Sequence, residues 1–107
     1  MSILEEVLME EYDRSLRISR AIEAENASLP RGSVRKRMIN GRPYFYLQYR
    51  DGTRVRSEYL KADEAKAVAK AVARRKENDS ALKEQKKSQA QIVKALGRKY
   101  VDEHSRA

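Results

Sequence analysis

Two glycine turns, at Asn40-Gly41 and Asp51-Gly52, cut the stretch RGSVRKRMI–NG–RPYFYLQY–RDG–TRVRSEY into three short runs and impose a three-stranded antiparallel meander on it. Asn-Gly is the strongest short hairpin signal, because a type I′ turn needs positive φ at both central residues. A two-residue loop there sets Met38 against Pro43, Lys36 against Phe45 and Val34 against Leu47.

The second turn decides which side chains share a face. A loop of Asp51-Gly52 alone puts Arg54, Arg56 and Glu58 beside Tyr49, Leu47 and Phe45 and mixes charge into the apolar face. A three-residue loop of Arg50, Asp51 and Gly52, with Gly52 left-handed in a bulge, sets Tyr49, Leu47 and Phe45 against Thr53, Val55 and Ser57. A one-residue slip turns every side chain over, so the apolar pattern favours the three-residue loop. The expected core face is Val34, Met38, Phe45, Leu47, Tyr49, Val55 and Tyr59, with Lys36 a misfit. The expected outer face is Arg35, Arg37, Arg42, Tyr44, Tyr46, Gln48, Arg54 and Arg56, with Ile39 near the turn.

Helices flank the meander. Ser2-Ile3-Leu4-Glu5 is a capping box that opens a first helix over about Ile3–Glu25, roughly 35 Å long. Leu4, Val7, Leu8, Tyr12, Ile18 and Ile22 form its stripe, with Ser15 and Ser19 falling inside it, and Pro30 closes it off. After the meander, Asp63 and Glu64 open a second helix whose small-residue stripe of Ala65, Val68, Ala69 and Val72 suits close approach to the core face of the sheet. Asn78-Asp79-Ser80 is polar but holds no proline or glycine, so the helix is expected to continue through it. Ser88-Gln89-Ala90-Gln91 offers a second capping box for a short last helix, and Gly97 an end. The expected fold is α+β in a single domain: an acidic amphipathic helix over 1–29, a basic meander over 31–60, one long or two consecutive helices over 62–101, and an untethered tail over 102–107.

Composition limits the core and the chemistry. Leu, Ile, Val and Phe number 21 of 107 residues, near the one-fifth level below which charged chains fail to fold. A small folded centre with extended helices is expected, and homo-oligomerisation would bury the helical stripes. There is no cysteine, which excludes disulfides, zinc knuckles and thiol nucleophiles and fits a cytoplasmic setting. No apolar run approaches membrane-spanning length. The only histidine, His104, lies in the tail, and no Ser/His/Asp set, glycine-rich phosphate loop or metal-ligand cluster can be assembled, so neither catalysis nor a cofactor is expected.

The net charge of +8 is unevenly placed: residues 1–30 hold three basic and seven acidic side chains, residues 31–60 eight and two, and residues 61–107 thirteen and seven. That asymmetry directs the middle and C-terminal parts toward a polyanion. Arginine pairs with guanine and glutamine with adenine in a major groove, while tyrosine hydroxyls and further arginines hold phosphates. Tyr44 and Tyr46 could instead stack unpaired bases, which keeps RNA and single strands open beside duplex DNA. Two other uses of the outer face stand against nucleic acid. It can dock a host protein, as an adaptor or an anti-CRISPR-like inhibitor would, or it can be a solvated face partly neutralised by the acidic first helix.

From Arg31 to Lys76 the chain runs through a GSV strand with basic residues, a turn, an aromatic strand, a DG turn, a basic strand and an alanine-rich helix that begins with an acidic pair. In this it resembles the arm-type DNA-binding domain of phage integrases. The resemblance implies a sheet that enters the major groove, a helix that backs it, and contacts from Arg35, Arg37, Tyr44, Tyr46, Arg54 and Arg56. Nothing after Lys76 resembles a recombinase catalytic domain, and the acidic first helix lies outside the pattern. PRGSVRKRMINGRPYFYLQYRDGTRVRSEYL is also similar to small bacterial and phage proteins with a helix–meander–helix plan, which implies a phage or mobile-element setting.

Overall fold

The computed structural model describes residues 2–104, apart from the side chains of Lys99 and His104. It has the expected α+β order: α1 (Ile3–Asn26), β1 (Ser33–Ile39), β2 (Arg42–Asp51), β3 (Arg54–Leu60), α2 (Ala62–Leu96) and α3 (Arg98–His104). The chain forms two compact units, Asn26–Asn78 and Met1–Glu25 with Asp79–Ala107. The polar Asn78-Asp79-Ser80 triplet leaves α2 unbroken, as expected, yet the boundary between the units falls within it.

In the unit Asn26–Asn78 the sheet is an antiparallel meander in the order β1-β2-β3. The first hairpin has the expected register, with Val34 opposite Leu47, Lys36 opposite Phe45 and Met38 opposite Pro43. Asn40 and Gly41 have φ of 51° and 77°, the two positive values that a type I′ turn requires.

The second hairpin departs from expectation. Its loop is Gly52-Thr53, closed by Asp51 opposite Arg54, and only Gly52 among its two residues has positive φ (64°), the sign pattern of a type II′ turn. Leu47 therefore faces Glu58, Tyr49 faces Arg56 and Phe45 faces Leu60. Relative to the expected Arg50-Asp51-Gly52 loop this is an odd shift, so β3 is turned over. Arg54 and Arg56 join the core side, and Val55 and Tyr59 join the outer one.

The cause lies at the far end of the strand. Only Lys61 separates Leu60 from α2, so Leu60 sits where the helix meets the sheet, and it is buried opposite Phe45. Leu47, Leu60, Ala65 and Val72 form the core, with Val34, Phe45, Tyr49 and Val68 packed on it. Burying one leucine contributes about 1.5–3 kcal/mol. Leaving charged side chains on the uncovered part of the same face costs little, because there they find partners. Arg56 Nε lies 2.7 Å from Asp51 Oδ2, and the Tyr49 hydroxyl donates to Glu58 Oε1 at 2.8 Å. Ala69, expected in the helix stripe, is exposed, and Met38 is exposed despite lying on the core side.

The C-terminal end of α1 is tied down inside this unit. The Arg75 guanidinium donates from Nη1 to the carbonyl of Asn26 (2.8 Å), a helix-end group without an intrahelical donor, and to that of Leu29 (2.7 Å) in the turn that follows. Buried Asn78 donates from Nδ2 to Oδ1 of buried Asn26 at 3.1 Å.

The other unit is a helical hairpin with a partly polar interior. Ser2 Oγ accepts the Glu5 amide at 3.2 Å, as the capping box predicts. Ser15 and Ser19 lie inside the stripe and are buried with Met9 and Val101. Gln89 Nε2 donates to both serine hydroxyls (3.0 and 2.9 Å), and the Ser15 hydroxyl donates to Gln85 Oε1 (2.7 Å). These bonds fix the sliding register of the two helices, because a buried hydroxyl without a partner costs about 1–3 kcal/mol. Leu4 and Val7, expected within the stripe, are exposed. The capping box at Ser88 is not used. α2 runs through it to Leu96, Gly97 at φ 92° ends it, and α3 follows. The expected free tail is helical up to residue 104, and the rest of it lies outside the described residues.

Candidate nucleic-acid interface

Strand alternation and the two registers place one set of side chains on the sheet face opposite the α2 contact. β1 contributes Arg35 and Arg37, β2 contributes Arg42, Tyr44, Tyr46, Gln48 and Arg50, and β3 contributes Val55, Ser57 and Tyr59. Six of the eight expected site residues are thus brought together: Arg35, Arg37, Arg42, Tyr44, Tyr46 and Gln48. Arg54 and Arg56 are not among them; they lie on the α2 side, where Arg56 is paired with Asp51.

Tyr59 takes the place they vacate. It stands opposite Tyr46, with ring centroids 5.9 Å apart in an edge-on arrangement, and 6.4 Å from Tyr44 at a 48° tilt. The Arg37 guanidinium carbon lies 5.8 Å from the Tyr46 centroid, over the ring. A cation over a tyrosine face is attracted by the ring quadrupole, by about 0.5–1 kcal/mol at an exposed site. The aromatic cluster thereby orients one arginine and leaves its donors free to bind an anion. Beside it, Arg35, Arg37, Tyr46, Gln48 and Ser57 line a shallow depression of about 340 Å³.

The electrostatics of the two faces differ sharply. The outer face holds four arginines and no carboxylate, whereas both acidic residues of the strands, Asp51 and Glu58, lie on the opposite face. The outer face is also open: Arg35, Arg37 and Arg42 are exposed, and Val55 and Tyr59 keep 57% and 58% of their surface. The unit as a whole carries fourteen basic and five acidic side chains.

Sequence reasoning missed Tyr59 and Arg50. The signal for Tyr59 was Leu60: an apolar residue one position short of an amphipathic helix fixes the inward parity of its strand, and so sends Tyr59 outward, while Arg50 follows Gln48 by the alternation of β2. Arg50 was lost by assigning it to a loop. Among the described residues no cluster of three or more His, Cys, Asp or Glu side chains could hold a metal, and no helix is long and apolar enough to cross a membrane.

Residues 9–70, more than half of the chain, match the model of a family described as a domain of unknown function (DUF6788). The match runs from α1 through the whole sheet into the part of α2 that covers it. No curated protein and no solved structure matches the chain.

Proposed function

The chain belongs to the DUF6788 family, and we propose that it is a non-enzymatic nucleic-acid-binding protein that holds duplex DNA on the arginine–tyrosine face of its sheet. The observation that carries this is the segregation of charge. Four arginines share an open face with no acid, and every carboxylate of the strands is on the other side. A merely solvated face gains nothing from excluding carboxylates, whereas a phosphate-binding one does.

The dimensions suit a duplex. Two strand spacings of about 4.8 Å put β1 and β3 roughly 10 Å apart, within a major groove about 12 Å wide. Arg42 and Arg50 stand at the two ends of β2, roughly 27 Å apart at 3.4 Å per residue, and can reach backbone phosphates beyond the groove. Arg35, Arg37 and Gln48 lie between them, where base edges would be met. Tyr44, Tyr46 and Tyr59 engage one another, which favours their hydroxyls as phosphate contacts over their rings as stacking platforms. The likeness of Arg31–Lys76 to integrase arm domains points the same way and suggests a phage or mobile-element origin, although Arg54 and Arg56 depart from the contacts that likeness implies.

The test is fluorescence anisotropy with labelled duplex and single-stranded probes across a salt series. The two phosphate-binding arginines, Arg42 and Arg50, predict an affinity loss of at least about tenfold between 50 and 200 mM salt. The Arg35→Ala/Arg37→Ala variant should bind at least about tenfold more weakly, and Arg54→Ala/Arg56→Ala should bind like the parent. Failure to bind any probe at low salt, or equal losses in the two variants, would overturn the proposal. Stoichiometric capture of one host protein after nuclease treatment, in that case, would assign the face to a protein partner.

A further inference from the structure

The outward side of α1 carries a stripe that the helical hairpin leaves unused. Leu4, Val7, Glu11, Arg14, Ile18 and Ala21 recur at alternating spacings of three and four, the a and d positions of three heptads. Leu4 keeps 67% and Val7 47% of its surface, Glu11, Arg14 and Ala21 are exposed, and Ile18 is half-buried. Next to the stripe, Leu8, Ile92 and Ala95 line a shallow depression that extends the apolar area onto α2.

We propose that this face pairs with the same face of a second copy of the chain, the two α1 helices running antiparallel about a two-fold axis between Glu11 and Arg14. The stripe is complementary to its own reverse. In antiparallel pairing each a position meets a d position, so Leu4 meets Ala21, Val7 meets Ile18, and Glu11 meets Arg14 of the second copy, with each contact made twice. The flanks agree, because Glu10 comes opposite Arg17 of the second copy. The stretch that the stripe spans is ordered in the same sense: Glu5, Glu6, Glu10, Glu11 and Asp13 precede Arg14, Arg17 and Arg20, and Glu23 and Glu25 lie beyond its last position, Ala21. A parallel pair would stack Glu11 on Glu11 and Arg14 on Arg14, so the central charged layer selects the antiparallel orientation. Within one copy Glu11 and Arg14 are only loosely joined, at 3.8 Å and largely exposed, and both are free to exchange partners.

The experiment is sedimentation velocity on the full chain with charge swaps at the centre of the stripe. The parent should sediment with twice the chain mass at high micromolar concentration. Glu11→Arg and Arg14→Glu should each weaken association by roughly tenfold or more, since each sets like charges in two contacts. The double swap, Glu11→Arg with Arg14→Glu, should restore the parent's association. Both positions are exposed, and circular dichroism will show whether each variant keeps its helix content. The chain has no cysteine, so an equimolar mixture of Val7→Cys and Ile18→Cys chains should oxidise mainly to the mixed dimer, whereas Val7→Cys alone should cross-link poorly. A monomeric parent, or a dimer indifferent to the single reversals, or one in which Val7→Cys alone cross-links best, overturns the proposal.

Discussion

Tyr59 stands directly across from Tyr46 on the neighbouring strand, their ring centroids 5.9 Å apart, on the face of the sheet that α2 does not cover. That one pairing fixes the parity of β3. It brings a third tyrosine to the arginine face and removes Arg54 and Arg56 from it.

Tyr59→Ala should therefore weaken binding of duplex DNA by about 3- to 10-fold, the loss expected when an aromatic contact worth about 0.5–1.5 kcal/mol no longer orders its neighbours. Tyr49→Phe, which alters a hydroxyl on the opposite face, should leave binding unchanged. Anisotropy titrations of the two variants at one fixed salt concentration decide it.

Arg75 replaces a cap that the sequence of α1 lacks. The last turn of α1 holds no basic residue; Arg75 donates to the carbonyl of Asn26, which also accepts the Leu29 amide at 3.0 Å, and to the carbonyl of Leu29 just beyond the helix. Arg75→Met keeps much of the side chain's bulk but removes both charge-assisted bonds. It should lower stability by about 2–3 kcal/mol, read as a fall in the urea midpoint at unchanged slope. Arg74→Met, whose contact to Glu77 is long (3.9 Å) and exposed, should cost less.

Gly32 is the glycine least open to change. Its φ is +120°, and a Cβ there would overlap the carbonyl oxygen of Gln48, backbone that cannot yield without disturbing the first pairing of β1. Gly32→Ala should cost at least about 2 kcal/mol, whereas Gly41→Ala, whose Cβ meets nothing within 4 Å, should cost about 1 kcal/mol for its positive φ alone. Urea titration of both variants ranks them; equal losses would show that the approach of Gly32 to Gln48 is not restrictive.

Tyr49 should titrate above the ordinary tyrosine range. Its hydroxyl donates to Glu58, a bond that only the neutral phenol can make, and burial and the nearby carboxylates act in the same direction against a smaller opposing pull from Arg56. Because the folded pKa is raised, the stabilisation is complete below the unfolded tyrosine pKa of about 10 and is lost as pH rises through the higher folded value. NMR of ring-labelled tyrosine should show the Tyr49 midpoint moving down in Glu58→Gln. An unchanged midpoint would mean that the hydrogen bond is not formed in solution.

Most of the fold could be read from the chain because its signals are local. The Asn40-Gly41 turn, the Ser2 cap, the small-residue stripe at Ala65, Val68 and Val72, and the three element types each depend on residues within one turn of helix or a few residues of strand. Of the candidate face, Arg35 to Gln48 were legible for the same reason: they lie on the two strands joined by the unambiguous turn. The register of β3 was not, since the Arg50-to-Thr53 segment admits several loops. Exclusion of charge from the core face was the wrong criterion to choose among them, because α2 covers only part of that face and leaves Arg54, Arg56 and Glu58 in solvent.

What the sequence determined on its own is the set of elements, their order, and a surplus of positive charge around the meander; these follow from propensity, periodicity and composition. Only the tertiary structure decided which arginines act together. Leu60 had to be buried where α2 meets the sheet, and since side chains alternate along a strand, that single burial turned Tyr59 outward and Arg54 and Arg56 away. The cap from Arg75 and the Ser15–Gln85–Gln89–Ser19 bonds were likewise decided by packing, as they join residues some 46 to 74 positions apart that no local pattern connects.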